Sequence, residues 1–237
     1  MEILDKKDNK LVFSVDSNES LINAIRRYVN QVPTLAIDEV EIIKNDSALY
    51  DETVAHRLGL VPIKTNKVSE KVKGKLKINS KKEGYILSGE LSGNVDVVYD
   101  KIPITLLNEN QKLQLNATTA LGIGTDHIKF SPGIMYYRNV QEITLDKNLA
   151  EQIKKIFPNA NIKEKGNKII ISDDGAQEIS DFCEGLADRQ KKKAEVEDKE
   201  GLIITIEGFG QMSEKDIFLK SIDVLKKDLA NVPKQLK

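Results

Sequence analysis

The sequence predicts an α+β fold. Two strongly amphipathic helical patterns stand near opposite ends of the chain, and the stretch between them alternates apolar and polar residues as strands do. Composition also shifts after Ile63 and again near residue 146, which splits that middle stretch into a mostly β part and a smaller mixed part. At 237 residues the chain has room for one large domain or two smaller ones.

Taken in order, Leu11 to Val15 reads as a short strand. A helix start follows, with Asp16 as N-cap and Glu19 three residues on, as in a capping box. Leu21, Ile25, Tyr28 and Val32 then recur at helical spacing, flanked by Ile22 and Val29. Pro33 ends the pattern, because a residue preceding proline is pushed out of the helical region. In TLAIDEVEIIKN, Leu35 and Ile37 share one strand face while Val40 and Ile42 fall on the opposite parity. That slip predicts a bulge near Asp38 and Glu39.

Beyond Ile63, KVKGKLKIN puts Lys71, Lys73, Lys75 and Lys77 on one strand face and Val72, Leu76 and Ile78 on the other. This is the alternation of a solvated, half-buried strand; a local nucleic-acid patch is the other reading. YILSGELSGNVDVVYD and KLQLNATTAL read as further strands, with turns at Ser92–Asn94 and Asn108–Asn110. NLAEQIKKIF is a short helical pattern, and NIKEKGNKIIISDDG a hairpin turning at Lys165–Asn167. AQEISDFCEGLADRQKKKAEVEDKEG is a helix running into a charged connector, a candidate boundary. The chain closes with the strand LIITIEG and a second helix. Ser213 followed by Asp216 caps that helix, and Phe218, Ile222, Leu225 and Leu229 form its stripe. Ile217, Leu219 and Val224 widen the apolar face, which suits either the core or a partner chain.

Several function classes are disfavoured. Net charge is −1, so no overall basic excess draws nucleic acid. MEILDKKDNK is too charged for a secretory signal, and no apolar stretch approaches a membrane span, so a cytoplasmic location without membrane contact is expected. Cys183 is the one cysteine, and His56 and His127 are the two histidines. No cysteine-held cluster or zinc site is expected from that inventory. Phosphate-loop and nucleophile-elbow motifs are absent, and Gly122-Ile123-Gly124 is too short to signal a nucleotide. His56 lies near Asp51 and Glu52, an acid–base pair in principle, yet no nucleophile has a recognisable setting. Asp173-Asp174 and Asp96…Asp100 do not make the carboxylate cluster that two magnesium ions need. The residues thus favour a binding or scaffold protein over a small hydrolase or a free-standing nucleic-acid binder.

Three segments resemble one family. NAIRRYVNQVPTLAIDEVEIIKNDSALYDETVAHRLGLVPI (residues 23–63) is similar to the N-terminal signature of the archaeal D-type RNA polymerase subunit and of the third-largest subunit of eukaryotic RNA polymerase II. The bacterial alpha subunit is a more distant relative. LGIGTDHIKFSPG (residues 121–133) resembles the segment closing that family's insert domain, and EGFGQMSEKDIFLKSIDVLKKDL resembles its C-terminal dimerisation helix with the strand before it.

The resemblance implies a split dimerisation domain of residues 1–43 and 197–237. A mostly β insert would occupy 44–145, and a small ferredoxin-like subdomain 146–196. It implies a non-catalytic assembly subunit that pairs with the smaller subunit L, takes on the small zinc-binding subunits N and P, and then carries the second-largest and largest catalytic subunits. DNA would be met only indirectly, through that complex. The implied face toward L comprises Ile22, Ile25, Val29, Phe218, Ile222, Leu225 and Leu229. Arg26 and Arg27 match the family's paired arginines and are expected to dock the second-largest subunit. Asp51, Glu52, His56, Arg57 and Gly59 match its DE…AHRLGL element, expected to organise the loop into the insert and its subunit contacts. The sequence departs from the family in lacking the cluster ligands many archaeal members carry and the cysteine-rich zinc loop of eukaryotic ones. The ferredoxin-like fold is therefore expected without a cluster.

Overall fold

The computed structural model describes residues 1–65 and 74–235. In chain order the elements are strands β1 (Glu2–Lys7) and β2 (Lys10–Val15), helix α1 (Glu19–Tyr28), strand β3 (Thr34–Asn45) and helix α2 (Asp51–Gly59). Strands β4 (Lys75–Ser80), β5 (Gly84–Leu87), β6 (Ser92–Gly93), β7 (Pro103–Leu107), β8 (Leu113–Gly122) and β9 (Gly133–Asp146) follow. Then come helix α3 (Ala150–Ile156), strands β10 (Asn161–Lys165) and β11 (Lys168–Asp173), helix α4 (Ser180–Arg189), strand β12 (Glu195–Gly208) and helix α5 (Glu214–Gln235). The α+β class is as expected.

The chain packs as two compact units, each made of two separated stretches: Met1–Asn23 with Met135–Ile206, and Ala24–Ile134 with Glu207–Lys237. In the first, six strands form one sheet in the order β1-β2-β12-β9-β11-β10. Ile143 and Leu145 on β9 and Ile169 and Ile171 on β11 pack with Leu149, Ile153, Ile179, Cys183 and Ala187 from the region of α3 and α4. Phe157 and Phe182 add an edge-to-face contact at 5.4 Å. The β10–β11 hairpin turns where expected, with Lys165 opposite Lys168 and Gly166 at φ +63°. The charged connector expected after α4 is instead the first half of β12. Its charges find partners on the sheet: Lys168 pairs with Glu195 at 3.1 Å, Lys199 with Glu142 at 3.7 Å, and Gln141 donates to Asp198 at 2.9 Å. Charge density reads as a linker in a sequence, but cross-strand pairing makes it a strand surface.

The second unit holds a four-stranded sheet, β3-β8-β4-β6, and the two-stranded β5-β7. Its core gathers Leu35, Ile37, Leu76, Ile78, Leu113 and Leu115 from the strands with Val54 and Leu58 of α2. The β3–β8 register slips between Ile37 and Glu39, so the expected bulge is present at Asp38; a second slip lies between Ile42 and Lys44. On β4, Leu76 and Ile78 are buried and Lys75 and Lys77 exposed, as the alternation requires. Lys71, Val72 and Lys73 lie outside the described residues.

The turn expected at Ser92–Asn94 is not one: Ser92 and Gly93 pair with Lys77 and Leu76. Gly93 is needed for close approach, since a Cβ there would fall 1.9 Å from the Lys75 carbonyl oxygen. Asn108–Asn110 is a turn, with the Gln111 N–H donating to the Asn108 carbonyl and Asn110 at φ +62°. Patterning gives no warning of β1, β7 or β9 as strands. The DE…AHRLGL element forms helix α2.

Helix ends show what side chains decide. α1 starts at Glu19, and its cap is Asn18, not Asp16: Asn18 Oδ1 accepts from the Ser20 N–H at 2.8 Å. The buried stripe is Ile22, Ile25, Val29 and Val32, while Leu21 is 50% exposed. A 3₁₀ turn, Val29–Gln31, follows α1, and Val32 turns extended before Pro33. α5 is capped as predicted: Ser213 Oγ accepts from the Asp216 N–H at 3.2 Å.

Candidate protein-interaction site

The three signature-like segments converge within the second unit. Asn30, just past α1, accepts from Ser131 Oγ on its Oδ1 at 2.9 Å and from the Thr125 N–H on its carbonyl at 3.3 Å. The Ser131 carbonyl accepts from Gln211 Nε2 at 3.2 Å. The Gln211 carbonyl in turn accepts from the Thr65 N–H at 2.8 Å. Thr65 Oγ1 accepts from the Leu35 N–H at 3.2 Å, which ties the network into β3. Ser131, Gln211 and Thr65 are all buried, so the bonds that run from Ser131 through Gln211 to Thr65 are shielded from water and hold their loops in place. Glycines let the loops meet. A Cβ on Gly133 would lie 2.4 Å from the Glu207 carbonyl oxygen, and one on Gly122 would meet the Phe130 ring at 2.6 Å. Nearby, Lys129 pairs with Asp38 at 2.7 Å, and His127 Nδ1 accepts from the Lys129 N–H at 3.1 Å, a structural role for that histidine.

Beside this network opens a cleft of about 520 Å³ lined by Ala24, Arg26, Arg27, Tyr28, Asn30, Gln31 and Thr125. Arg26 and Arg27 are exposed in the last turn of α1, where the helix dipole favours cations. Tyr28 donates its hydroxyl to Asp228 of α5 at 3.1 Å; that carboxylate holds the phenol above its usual range.

The residues expected to face a partner fall into two groups. Ile22, Ile25, Val29, Phe218 and Leu225 are buried within this chain, Ile222 is half-buried, and Leu229 is 60% exposed. The apolar side chains that α5 presents outward are Leu219, Leu229 and Val232. On α2, Val54 and Leu58 face the core. Asp51 accepts from Asn45 Nδ2 at 2.8 Å, and Arg57 donates to the Pro103 carbonyl at 2.6 Å, so both serve the second unit's own structure. Glu52 and His56 stay exposed one turn apart on the outer side of α2.

One cluster is not anticipated from the sequence. Asp173 is fully buried at the end of β11. Its Oδ2 accepts from the Ile179 N–H at 2.9 Å, the Ser180 N–H at 3.0 Å and Ser180 Oγ at 2.6 Å. Its Oδ1 accepts from Arg138 at 2.9 Å, and the same guanidinium donates to the Gly175 and Gln177 carbonyls. This hub fixes the 174–178 loop and the start of α4. Composition argues against it, since aspartate is rarely buried unless paired, and no periodicity marks the pairing. Cys183 lies close by with no exposed surface; burial, with Asp173 nearby, pushes its thiol up to about 12. Among the described residues, no three His, Cys, Asp or Glu side chains gather as metal ligands, and no helix is long and apolar enough to cross a membrane.

Comparison with known proteins gives the class first. The family model described as the RNA polymerase Rpb3/RpoA insert domain matches residues 40–146. DNA-directed RNA polymerase subunit Rpo3 of Thermococcus kodakarensis is 34% identical over 188 residues, covering 72% of this chain and 73% of the relative. The same-named protein of Methanothermobacter thermautotrophicus is 31% identical over 248 residues, covering 94% and 93%. That of Halobacterium salinarum is 30% identical over 236 residues, covering 95% and 92%. The chain belongs to the Rpo3 family of DNA-directed RNA polymerase subunits, the archaeal D-type family that its three segments resemble.

Proposed function

We propose that this chain is a non-catalytic assembly subunit of a cytoplasmic DNA-directed RNA polymerase, pairing with subunit L to form the platform for the rest of the enzyme. The observation carrying the pairing is α5. Its inner residues Ile217, Phe218 and Leu225 are buried, yet Leu219, Leu229 and Val232 remain exposed on the same helix. Apolar side chains left open on a well-capped helix suit a permanent partner, and obligate interfaces commonly bury about 2,000 Å² or more. In this reading residues 1–43 and 197–237 make up the dimerisation domain, 44–145 the insert, and 146–196 a ferredoxin-like subdomain that holds no cluster. No zinc or iron–sulfur site belongs to the chain.

Subunits N and P and the two large catalytic subunits would add to the pair, with Arg26, Arg27, Glu52 and His56 as the docking residues for the large ones. The chain's contribution is mechanical: a rigid platform fixes the relative placement of the subunits that hold the catalytic metal. Any DNA contact is made through the complex. The test is co-expression with the L-type subunit of the same genome, followed by size-exclusion chromatography with light scattering. A one-to-one complex is expected; a well-behaved monomer that ignores L overturns the reading.

A further inference from the structure

We infer that the first unit holds a docking site of its own, for an extended protein segment that combines apolar residues with a lysine or arginine. The site is a cleft of about 440 Å³, within the usual size of ligand pockets. Every residue lining it belongs to the first unit, and none lies on α1 or α5, the helices on which the pairing with L rests. β1 and β10 are the outer strands of the six-stranded sheet, so each has an edge with no partner strand among the described residues. Residues of both line the cleft, and an open edge offers N–H and C=O groups to an incoming strand. β1 is bulged here. Ile3 pairs with Phe13 and Asp5 with Val12, which leaves Leu4 as the extra residue. Bulges re-aim side chains, and Leu4 is the apolar group that β1 adds to the lining.

The lining matches a peptide better than a nucleic acid. Phe157 and Pro158 add apolar surface for side chains. Asn159, Asn161 and Gln177 add side-chain amides that no described residue engages, and an amide can both donate to and accept from a peptide main chain. Asp5 is matched by Lys7 at 2.9 Å, but Asp174 is exposed with no cation bonded to it, and Glu178 follows close behind in the chain. That uncompensated charge attracts a cationic side chain and repels a phosphate backbone. The cleft is also preorganised. Asp174 to Gln177 line it, and the Arg138 guanidinium, itself held by the buried Asp173, binds the Gly175 and Gln177 carbonyls of the same loop. A buried ion pair adds little net stability, so what this one secures is a loop already set before a ligand arrives.

The experiment uses the full-length chain. A phage-displayed library of random heptapeptides is depleted on the Asp174→Lys variant and then selected on wild type, so that binders of other surfaces are removed first. Enriched sequences are expected to carry aliphatic residues with a lysine or arginine. The most enriched one, synthesised with capped ends, is titrated into the ¹⁵N-labelled chain, where shifts at Leu4, Asn161 and Gln177 are expected. Asp174→Asn should weaken binding roughly tenfold or more, and Gln177→Ala should weaken it as well. Both side chains are exposed, so the melting temperature of each variant should match wild type. An analogue with proline at its centre, which removes a main-chain donor, should not bind. No enrichment over the bare support, enrichment of acidic sequences, or shifts confined to other residues overturns the proposal. So does unchanged affinity in both variants, or tighter binding of a thymidine tetranucleotide than of the peptide. Equal binding of the proline analogue sinks the strand-like mode of docking.

Discussion

Replacing Arg138 by methionine isolates a buried charge in the first unit. The aliphatic stem keeps its packing, but the Asp173 carboxylate, with no exposed surface, loses its cation. Three of its hydrogen bonds remain, from the Ile179 N–H, the Ser180 N–H and Ser180 Oγ. They solvate the charge without neutralising it. Breaking a buried pair from one side costs about 3–5 kcal/mol. Arg138 is itself 21% exposed, so water can reach part of the gap, and the lower half of that range is the expected loss. The Gly175 and Gln177 carbonyls lose their donor as well, which should loosen the 174–178 loop before the sheet melts. Urea unfolding followed by circular dichroism measures the cost, and amide exchange in α4 reports where it falls. A companion Asp173→Ala variant closes a double-mutant cycle. A loss below about 1 kcal/mol for Arg138→Met, the scale of an exposed ion pair, would refute the claim that this pair organises the loop and α4.

Further perturbations separate surface from core. Leu229→Glu is expected to abolish pairing with L while thermal stability stays within about 0.5 kcal/mol of wild type, whereas Phe218→Glu places a charge at a buried site and should cost several times more; chromatography and melting read the two effects apart. Gly133→Ala should destabilise by about 1–3 kcal/mol, because its Cβ would press on the Glu207 carbonyl; an unchanged melting temperature would contradict the close approach. Cys183 should resist iodoacetamide at pH 8 in the native chain and react only on unfolding, as its raised thiol requires. The folded-state value of about 12 lies above the ordinary 9.0, so the stability it represents is complete below pH 9 and declines as pH rises toward 12; Cys183→Ala should flatten that decline.

Much is legible in the sequence because period and cap chemistry are local. The parity change between Ile37 and Val40 locates a bulge, the Lys75–Ile78 alternation locates a half-buried strand, and Ser213 with Asp216 locates the start of α5. The three signature-like segments locate the family. Local rules also err where two candidates compete. Asp16 and Asn18 are both good caps, and only the backbone path selects Asn18. Leu21 and Ile22 are both apolar at helical spacing, and which one points inward depends on where the helix begins.

The tertiary structure decided what depends on residues far apart in the chain. Glycine marks turns, so Gly93 reads as one in the sequence, whereas it is there to let β6 reach the Lys75 carbonyl. The charges of residues 195–200 suggest a connector until Lys168, Glu142 and Gln141 stand opposite them. Apolar spacing alone cannot tell a side chain buried under its own chain from one left open, so Phe218 and Leu229 look alike as candidates for the partner face. Asn30, Ser131 and Gln211 are separated by about a hundred and eighty residues of chain and meet within hydrogen-bond reach. Sequence alone determined the α+β class, the two amphipathic helices with several of the strands, and the family, because hydrophobic period and capping act within a few residues. Burial, charge pairing and the meeting of the three segments were settled by the fold, because each is a relation between surfaces that exist only once the chain has closed on itself.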